Sequence, residues 1–391
     1  MQIDISAMKC PNPFNPGAPV DPNDFVGRVQ ELENFKQKLQ QTFNGSIACL
    51  AVAGGYGVGK TSFLHKCKII AESEGALTIY FSLNELKGVG KDDLSRVLIE
   101  RVRDKVQEEV ILNRISNNVL NVLNKISVSA GNIQINFDLK QQNSYPTLQS
   151  SLLAAWGALK NSKKAIVFLI DEAGILEKNR GELLLYLRAI LEQLQTSRTP
   201  VMFIPAGKLS IFGQTGTGFS PLVRTFSPVI LENFTKEECI IFIKKKLSQA
   251  KISISDDVCT KIYQITEGHP FVLTAYLHTI YSKMFDGESE LKDLHLKAAD
   301  IEFVTRILSP FFSRFYDYVG RWSRQILSKI AETSDGEILL SQLTTSMKKD
   351  SNQLSPFLAK LVQDGALIRI DRGKYKLFHH LLASYIKSHE S

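Results

Sequence analysis

The segment Gly54–Thr61 reads Gly-Gly-Tyr-Gly-Val-Gly-Lys-Thr and has the spacing G-x-x-x-x-G-K-[ST]. It follows the apolar run Ile47–Val52, which predicts a buried strand, and it precedes Ser62–Glu72, whose apolar residues have helical spacing. Glycines let successive backbone N–H groups curl around an anion, and a helix that begins at Lys60 adds the positive end of its dipole. The segment therefore predicts a phosphate-binding loop between a strand and a helix, in an α/β fold with a central parallel sheet.

The residues of this loop have different expected roles. Lys60 is expected to reach the β- and γ-phosphates of ATP, and the Thr61 hydroxyl is expected to ligate Mg²⁺. The residues expected to contact the nucleotide are Gly54, Gly55, Tyr56, Gly57, Val58, Gly59, Lys60, Thr61 and Ser62. The alternative is a glycine-rich turn that happens to precede Lys-Thr, and the flanking strand and helix argue against it.

A second polar signal follows the apolar run Ala165–Ile170, which predicts a strand buried on both faces. The run ends in Asp171 and Glu172. Asp171 is expected to join Thr61 at the Mg²⁺ ion, and Glu172 to polarise the water that attacks the γ-phosphate. Solvated turn residues at a strand end are the alternative. A glutamate beside the aspartate supplies a base, which favours an ATP hydrolase over a protein that only binds ATP.

The composition is that of an ordinary intracellular globular protein. Its 391 residues, 44% hydrophobic and 22% charged, suffice for two or three domains. A net charge of +7 permits contact with nucleic acid without requiring it. The five cysteines have no C-x-x-C spacing, which predicts buried free thiols at Cys49 and Cys67. With no signal-peptide pattern and no membrane-length apolar run, we expect a cytoplasmic protein that does not contact the membrane.

Changes along the chain predict four segments. They are a proline-rich extended arm at 1–24, a P-loop core at 25–233 with a helical and hairpin insertion at about 88–160, a helical lid at 234–297, and a C-terminal domain at 298–391. The insertion includes a predicted β-hairpin at Ile126–Phe137, and a glycine- and threonine-rich loop is expected at Gly213–Ser220. After Phe234 we expect helices alone up to a polar connector at Gly287–Lys297.

The C-terminal domain reads as three helices followed by strands Ala366–Ile370 and Lys374–Phe378, which predicts a winged helix. The third helix, about Asn352–Gln363, has one cation among its outward residues, Asn352, Gln353, Ser355, Lys360 and Gln363. The wing has four cations, Arg369, Arg372, Lys374 and Lys376. DNA binding by the wing and protein docking both stay open. Lys244–Lys246 in the lid is expected to form a solvated helix face.

Five motifs occur in an order that resembles AAA+ and STAND-type ATPases, in particular the archaeal-ATPase and origin-recognition-like branch. They are Phe25-Val26-Gly27-Arg28, the phosphate loop, Ile170-Asp171-Glu172, Phe234–Glu238 and Gly268-His269-Pro270. In that branch a helical lid and a winged helix follow the ATPase core. The resemblance implies that Val26, Gly27 and Arg28 lie beside adenine and ribose, and that His269 and Pro270 lie against the nucleotide. A helix C-cap followed by proline in the first turn of the next helix is a compatible interpretation of Gly268-His269-Pro270.

Two further positions matter to the resemblance. The family's fourth strand ends in a polar sensor residue, whereas this chain reads Phe203-Ile-Pro-Ala-Gly-Lys208, so that group is missing and Lys208 is a weak substitute. This departure predicts low turnover. Arg224 lies where the family places an arginine finger, and a surface arginine paired with a neighbouring carboxylate is the alternative.

The leading hypothesis is an ATP-binding, slowly hydrolysing molecular switch. Its ATP or ADP state would control assembly, as a homo-oligomer or with a protein partner, through the winged helix. The alternative is a DNA-binding initiator or recruiter in which ATP is mainly structural. Defence, transposition, replication and transcriptional control are all compatible with this layout.

Overall fold

The computed structural model describes residues 11–85, 90–113, 147–208, 221–303 and 308–390. It divides into two compact units. The sheet unit comprises Arg28–Gly54 and Lys60–Leu231. The helical unit comprises Met1–Gly27, Gly55–Gly59 and Glu232–Ser391. The predicted hairpin at Ile126–Phe137 and the predicted loop at Gly213–Ser220 lie outside the described residues.

The described part of the sheet unit contains a five-stranded sheet in the order β2-β3-β4-β1-β5, with all neighbours parallel. The strands are β1 Cys49–Gly54, β2 Leu77–Ser82, β3 Ile166–Asp171, β4 Val201–Gly207 and β5 Phe226–Leu231. Each residue of β3 and β4 is buried, as expected of central strands in a parallel sheet. Pro228 lies in β5, an edge strand, where its missing N–H costs no ladder hydrogen bond. The predicted central parallel sheet is confirmed.

Helices surround this sheet in the sequence order expected of β-α-β connections. They are α1 Val29–Phe43, α2 Lys60–Ser73, α3 Lys91–Asn113, α4 Leu148–Leu159, α5 Lys178–Thr196 and α6 Pro221–Thr225. Short 3-10 turns follow β2 and β3, at Leu83–Glu85 and Ala173–Glu177. Cys49 and Cys67 are buried free thiols, as predicted. Burial raises the pKa of the Cys49 thiol to about 12, so it stays protonated.

The helical unit combines nine helices and five short strands among its described residues. The helices are α7 Lys236–Gln249, α8 Asp256–Thr266, α9 Pro270–Ser282, α10 Asp293–Glu302, α11 Ser309–Tyr316, α12 Arg321–Ala331, α13 Leu340–Met347, α14 Ser351–Asp364 and α15 His380–Glu390. The strands are β6 Ser253–Ile254, β7 Glu290–Leu291, β8 Glu337–Leu339, β9 Leu367–Asp371 and β10 Lys374–Leu377. One hydrophobic core runs through these elements from Phe14 to Ile386.

Two expectations for this unit are wrong. The segment after Phe234 is not purely helical, because β6 and β7 form a short parallel pair. The segment Gly287–Lys297 was predicted to be a polar connector, but strand β7 and the start of α10 lie within it. Its polar composition conceals Leu291 and Leu296, which are both buried in the core. Burial of these two side chains holds the segment in regular structure.

Residues 11–24 of the N-terminal arm form no helix or strand and are held by contacts within the helical unit. Phe14 is buried between the rings of Phe242 and Tyr281, with centroid distances of 6.4 and 6.5 Å. Asp24 pairs with Lys246 at 2.7 Å. The Lys245 ammonium also donates to the Asn23 carbonyl at 2.6 Å, so the expected solvated face of Lys244–Lys246 is wrong for two of its three lysines.

Candidate functional site

Thr61 and Asp171, the two predicted metal ligands, lie together in the sheet unit. Thr61 occupies the first turn of α2, and Asp171 is the last residue of β3. The Thr61 hydroxyl donates to Oδ2 of Asp171 at 2.8 Å, and the carboxylate is almost fully buried, at 4% exposure. Thr61 follows β1 in the chain, and β4 lies between β1 and β3 in the sheet. Because parallel strands end at the same edge of a sheet, Thr61 and Asp171 still come within hydrogen-bonding distance. A hydroxyl and a carboxylate oxygen suit Mg²⁺, which prefers hard oxygen ligands.

Asp171 accepts two further hydrogen bonds. The Tyr80 hydroxyl, from β2, donates to Oδ2 at 2.9 Å, and the Glu172 amide donates to Oδ1 at 2.9 Å. Burial and the Asp171 charge raise the pKa of Tyr80, so its hydroxyl remains a donor. The His65 ring meets the Tyr80 ring edge-on at 4.9 Å, and burial lowers the pKa of His65. The carboxylate is therefore oriented before a metal binds.

Sequence reasoning missed Tyr80 and His65. Tyr80 lies in the strand-forming run Leu77–Ser82, where an aromatic residue ordinarily indicates core packing. The available signal was its place near the carboxyl end of a strand, the edge at which open α/β sheets bind ligands.

Glu172, the predicted base, is exposed and has a backbone φ of +50°. This left-handed conformation is uncommon for a residue with a side chain. Such strain persists where the surrounding structure enforces it, often at functional sites. Here the amide of Glu172 is tied to the carboxylate of Asp171, which contributes to that restraint. Glu172 directly follows Asp171, one of the two predicted metal ligands, and its role as a base stays a prediction.

Lys60 begins α2, and its ammonium group donates to the carbonyl of Gly54 at 3.2 Å. Gly54 ends β1, so the lysine side chain reaches back along the full length of the loop. Contact of Lys60 with bound phosphates stays a prediction.

The middle of the loop, Gly55–Gly59, belongs to the helical unit, where the first turn of α9 contacts it. Nε2 of His269 lies 3.1 Å from the Tyr56 carbonyl, and the Phe271 amide donates to the Gly57 carbonyl at 3.1 Å. Nδ1 of His269 accepts from the Val272 amide at 3.4 Å, which places the ring proton on Nε2. His269 caps α9 and also binds the loop backbone.

Burial, reinforced by the nearby His379, lowers the pKa of His269 to about 3. The imidazole is therefore neutral near pH 7 and serves as a donor to the loop carbonyl. The predicted helix C-cap followed by proline is confirmed, because α8 ends at Thr266, Glu267 and Gly268 have left-handed backbone, and Pro270 is the first residue of α9. The cap that His269 gives to α9 was not predicted. Contact of His269 and Pro270 with a nucleotide stays a prediction.

Gly57 must be glycine for two reasons. Its φ is +78°, and a Cβ would lie 2.8 Å from Cβ of Phe271 and 2.9 Å from Cε1 of His269. Any side chain would be strained and would also push the loop away from α9. The loop pattern is thus required by its neighbours as well as by phosphate.

The Val26-Gly27-Arg28 motif has structural explanations that do not involve adenine. Val26 packs on the core of the helical unit. Gly27 has a φ of +72°, and a Cβ there would collide with the Glu238 carboxylate. Arg28, in the sheet unit, is buried with a φ of +59° at the start of α1, and it lies 3.8 Å from Glu31. A role beside adenine and ribose stays a prediction.

The end of β4 explains the missing polar sensor. A Cβ at Gly207 would lie 3.1 Å from the amide nitrogen of Gly174 and 3.2 Å from that of Ala173. The 3-10 turn after β3 therefore crowds this position, and a side chain at Gly207 would require the backbone of the turn to shift. Lys208, the next residue, is exposed. Arg224 is exposed at the end of α6, directly before β5, and its finger role stays a prediction.

Comparison with known proteins identifies the fold of the sheet unit. Residues 28–204 match the model of the KAP family P-loop domain. This segment contains β1 to β3, the first four residues of β4, the phosphate loop and Asp171. It has the α/β P-loop NTPase fold. Domains of this fold bind nucleotides with a divalent metal.

Two solved structures are similar over most of the chain. The Walker-type ATPase of Pyrococcus abyssi has a TM-score of 0.58 at 15% sequence identity. The aligned region covers 93% of this chain and 97% of that ATPase. The ORC2 protein of Aeropyrum pernix, in ADPNP–ADP complexes, has a TM-score of 0.57 at 13% identity, with coverages of 93% and 96%. At such identities the similarity shows the fold alone.

A curated relative is also similar along most of its length. An uncharacterized HTH-type transcriptional regulator of Methanocaldococcus jannaschii is 20% identical to this chain over an alignment of 395 positions. The alignment covers 95% of this chain and 91% of that protein. Among the described residues, the helices are too short or too polar to cross a bilayer.

Proposed function

We propose that the protein is an ATP-binding molecular switch that hydrolyses ATP slowly. The observation that carries the proposal is the 2.8 Å hydrogen bond between Thr61 and Asp171 at the carboxyl edge of the sheet. The bond joins Thr61, the last residue of the phosphate loop, to Asp171, the last residue of strand β3. The match of residues 28–204 to a P-loop domain supports the same reading.

In this mechanism Thr61 and Asp171 would hold Mg²⁺, and Lys60 would bind the β- and γ-phosphates of ATP. The metal supplies a positive charge that offsets the charge developing on the phosphates. Tyr80 keeps the Asp171 carboxylate oriented through its hydroxyl. Glu172 accepts a proton from the attacking water, since its exposed carboxylate directly follows the metal ligand.

Slow turnover follows from the end of β4. Ala206 and Gly207 offer no polar side chain there, and the turn at Ala173 and Gly174 crowds position 207. Preorganised polar groups contribute strongly to phosphoryl transfer, so their loss at one position lowers the rate. In the same proposal Arg224 completes the site of another copy of the chain.

The switch would act through the C-terminal elements, which we take to be a winged helix. The order α12, α13, α14 followed by the antiparallel pair β9 and β10 supports this, with β8 pairing on the other side of β10. Residues Leu354, Leu358 and Leu361 of α14 are buried, and its polar residues are exposed, as predicted.

DNA binding is the second candidate, and its support is mixed. Arg369 and Arg372 of the wing are exposed. Lys374 and Lys376, however, both pair with Glu337, at 2.7 and 3.7 Å, which reduces the positive charge available to phosphates. The helix-turn-helix description of the M. jannaschii relative favours DNA binding. The charges of the wing fit a domain that docks a protein partner better than one that binds DNA.

ATP binding by the purified protein, with and without Mg²⁺, tests the main proposal. Lys60→Ala removes the cation of the loop and leaves the core untouched, so ATP affinity should collapse while the thermal melt stays normal. Lys66→Ala, on the same helix, is the matched control because Lys66 lies outside the loop. Equal ATP affinity for Lys60→Ala and the wild type would refute the phosphate-loop assignment.

A further inference from the structure

The side chain of Tyr56, within the phosphate loop, lies against two residues of α11. The guanidinium carbon of Arg314 is 3.6 Å from the centre of the Tyr56 ring. The Phe311 ring centre is 5.6 Å from the same ring, at an interplanar angle of 35°. Tyr56 is 47% exposed, so these contacts, and not deep burial, determine where the ring lies.

The backbone of the same residues is held by α9. His269 donates to the Tyr56 carbonyl and Phe271 to the Gly57 carbonyl. A trans peptide points each carbonyl opposite to the N–H of the next residue. The amides of Gly57 and Val58 therefore point away from α9, which is the arrangement that a phosphate cradle needs.

Phe311 connects the two sets of contacts. Its ring stacks on Phe271 at 4.4 Å and lies 5.9 Å from the His269 ring. On its far side it meets Phe378, the residue after β10, at 6.0 Å. The contacts that α9 and α11 make with the loop thus share one aromatic cluster. A displacement of α11 would therefore shift the ring of Tyr56.

We propose that Arg314 and Phe311 are positioning residues of the phosphate loop. They hold Tyr56 and, together with the hydrogen bonds from α9, keep the loop amides in the geometry that receives phosphates. The inference rests on the proposed nucleotide-binding function and extends it to α11, a helix far from the loop in sequence. Loss of the Arg314 contact would loosen the loop and weaken nucleotide binding about two- to fivefold, the range of an exposed cation–π contact.

A first measurement does not depend on nucleotide. Hydrogen exchange of the amides at residues 57–59 in the nucleotide-free protein reports how well the loop is held. Arg314→Met should speed this exchange, because it retains side-chain length and removes the cation. Arg314→Lys, which keeps the charge without the planar stack, should lie between Met and the wild type. Arg321→Met, an exposed arginine on α12, is the control and should match the wild type.

A double-mutant cycle with fluorescent ADP provides the second measurement. Arg314→Met and Tyr56→Ala should each weaken binding, and the double variant should bind within about twofold of Tyr56→Ala alone, because both remove the same contact. Additive losses would overturn the contact, as would wild-type loop exchange in Arg314→Met.

The two proposals fail in different ways. If the wild type binds ADP and Arg314→Met has unchanged affinity, the positioning role is wrong and the proposed function stands. If the wild type binds neither ATP nor ADP, the proposed function is wrong and the positioning role falls with it. Arg314 is exposed, so its replacement leaves no cavity and the fold should survive in each variant.

Discussion

At the scale of single residues, the site is organised around the carboxylate of Asp171. It accepts hydrogen bonds from the side chains of Thr61 and Tyr80 and from the amide of Glu172. Charged acceptors make the stronger hydrogen bonds, each worth about 1.5–3 kcal/mol. One buried carboxylate thereby connects the loop, two strands and the residue proposed as the base.

Replacing Glu172 with glutamine tests that base. Gln keeps the shape and hydrogen bonding of the side chain and cannot accept a proton, so hydrolysis should fall by about 10²–10⁴-fold. ATP affinity should stay at the wild-type value because the loop and metal ligands are unchanged. Phosphate release under saturating ATP is the measurement, and Glu192→Gln on α5 is the control. An unchanged rate would exclude Glu172 as the base.

At the scale of elements, the crossing of β4 by the turn after β3 decides which residue types the site can hold. Gly207 meets backbone nitrogen atoms, which cannot rotate away as a side chain would. Packing between these two elements therefore favours glycine at position 207.

Gly207→Ala should lower the free energy of unfolding by about 1–2 kcal/mol, because the added Cβ must displace the backbone of the turn. Gly157→Ala in α4 is the matched control, since a Cβ there meets nothing within 4 Å. It should be neutral or stabilise by up to about 1 kcal/mol. Urea denaturation midpoints measure both, and equal effects of the two changes would contradict the crowding at β4.

Two buried histidines of the helical unit predict a loss of stability in acid. Burial lowers the pKa of His269 to about 3 and that of His379 to about 4. A histidine in the unfolded chain titrates near 6.5, so protons favour the unfolded state below that pH. The stabilisation is complete above pH 6.5 and is lost as the pH falls toward the folded pKa values. Glu267, which faces both rings, opposes this shift without reversing it.

Between pH 7 and pH 5 each histidine should reduce the free energy of unfolding by roughly 2 kcal/mol. His269→Asn keeps a side-chain cap for α9 and removes the titration of this residue, so its loss over this interval should be smaller than that of the wild type by roughly 2 kcal/mol. Denaturation curves at the two pH values are the measurement, with the exposed His389→Gln as control. An identical pH dependence in His269→Asn and the wild type would refute the account.

At the scale of the whole molecule, Arg224 addresses assembly. It is exposed in the short helix before β5, and a neighbouring copy could receive it. An arginine finger in trans is worth about 10³–10⁵-fold in rate. Specific activity should therefore rise with protein concentration, and Arg224→Ala should lose that rise while it still binds ATP.

Mixing supplies the decisive control for Arg224. Arg224→Ala combined with Glu172→Gln should recover part of the activity, because each subunit can supply what the other lacks. Arg188→Ala, which removes a surface arginine paired with Glu192, should behave as the wild type. Activity per molecule that is flat with concentration, with a normal Arg224→Ala, would make Arg224 an ordinary surface residue.

The sequence by itself determined the features that depend on local pattern. The strands, the phosphate loop and the Asp171-Glu172 pair follow from apolar runs and glycine spacing within about twenty residues. The helix C-cap before His269 and the proline that begins α9 are local too, and they were anticipated for the same reason. These features need no knowledge of distant neighbours, because backbone conformation and burial pattern specify them.

Only the tertiary structure decided which distant side chains share a site. Thr61 and Asp171 are 110 residues apart, and Tyr56 and His269 are 213 apart. The Tyr80 bond to Asp171, the Arg314 contact with Tyr56 and the crowding at Gly207 have no local signature, since their residue types are equally at home in a core or on a surface. Long-range packing selects such partners, because hydrophobic burial sets which elements meet and carries little information about which polar groups arrive together.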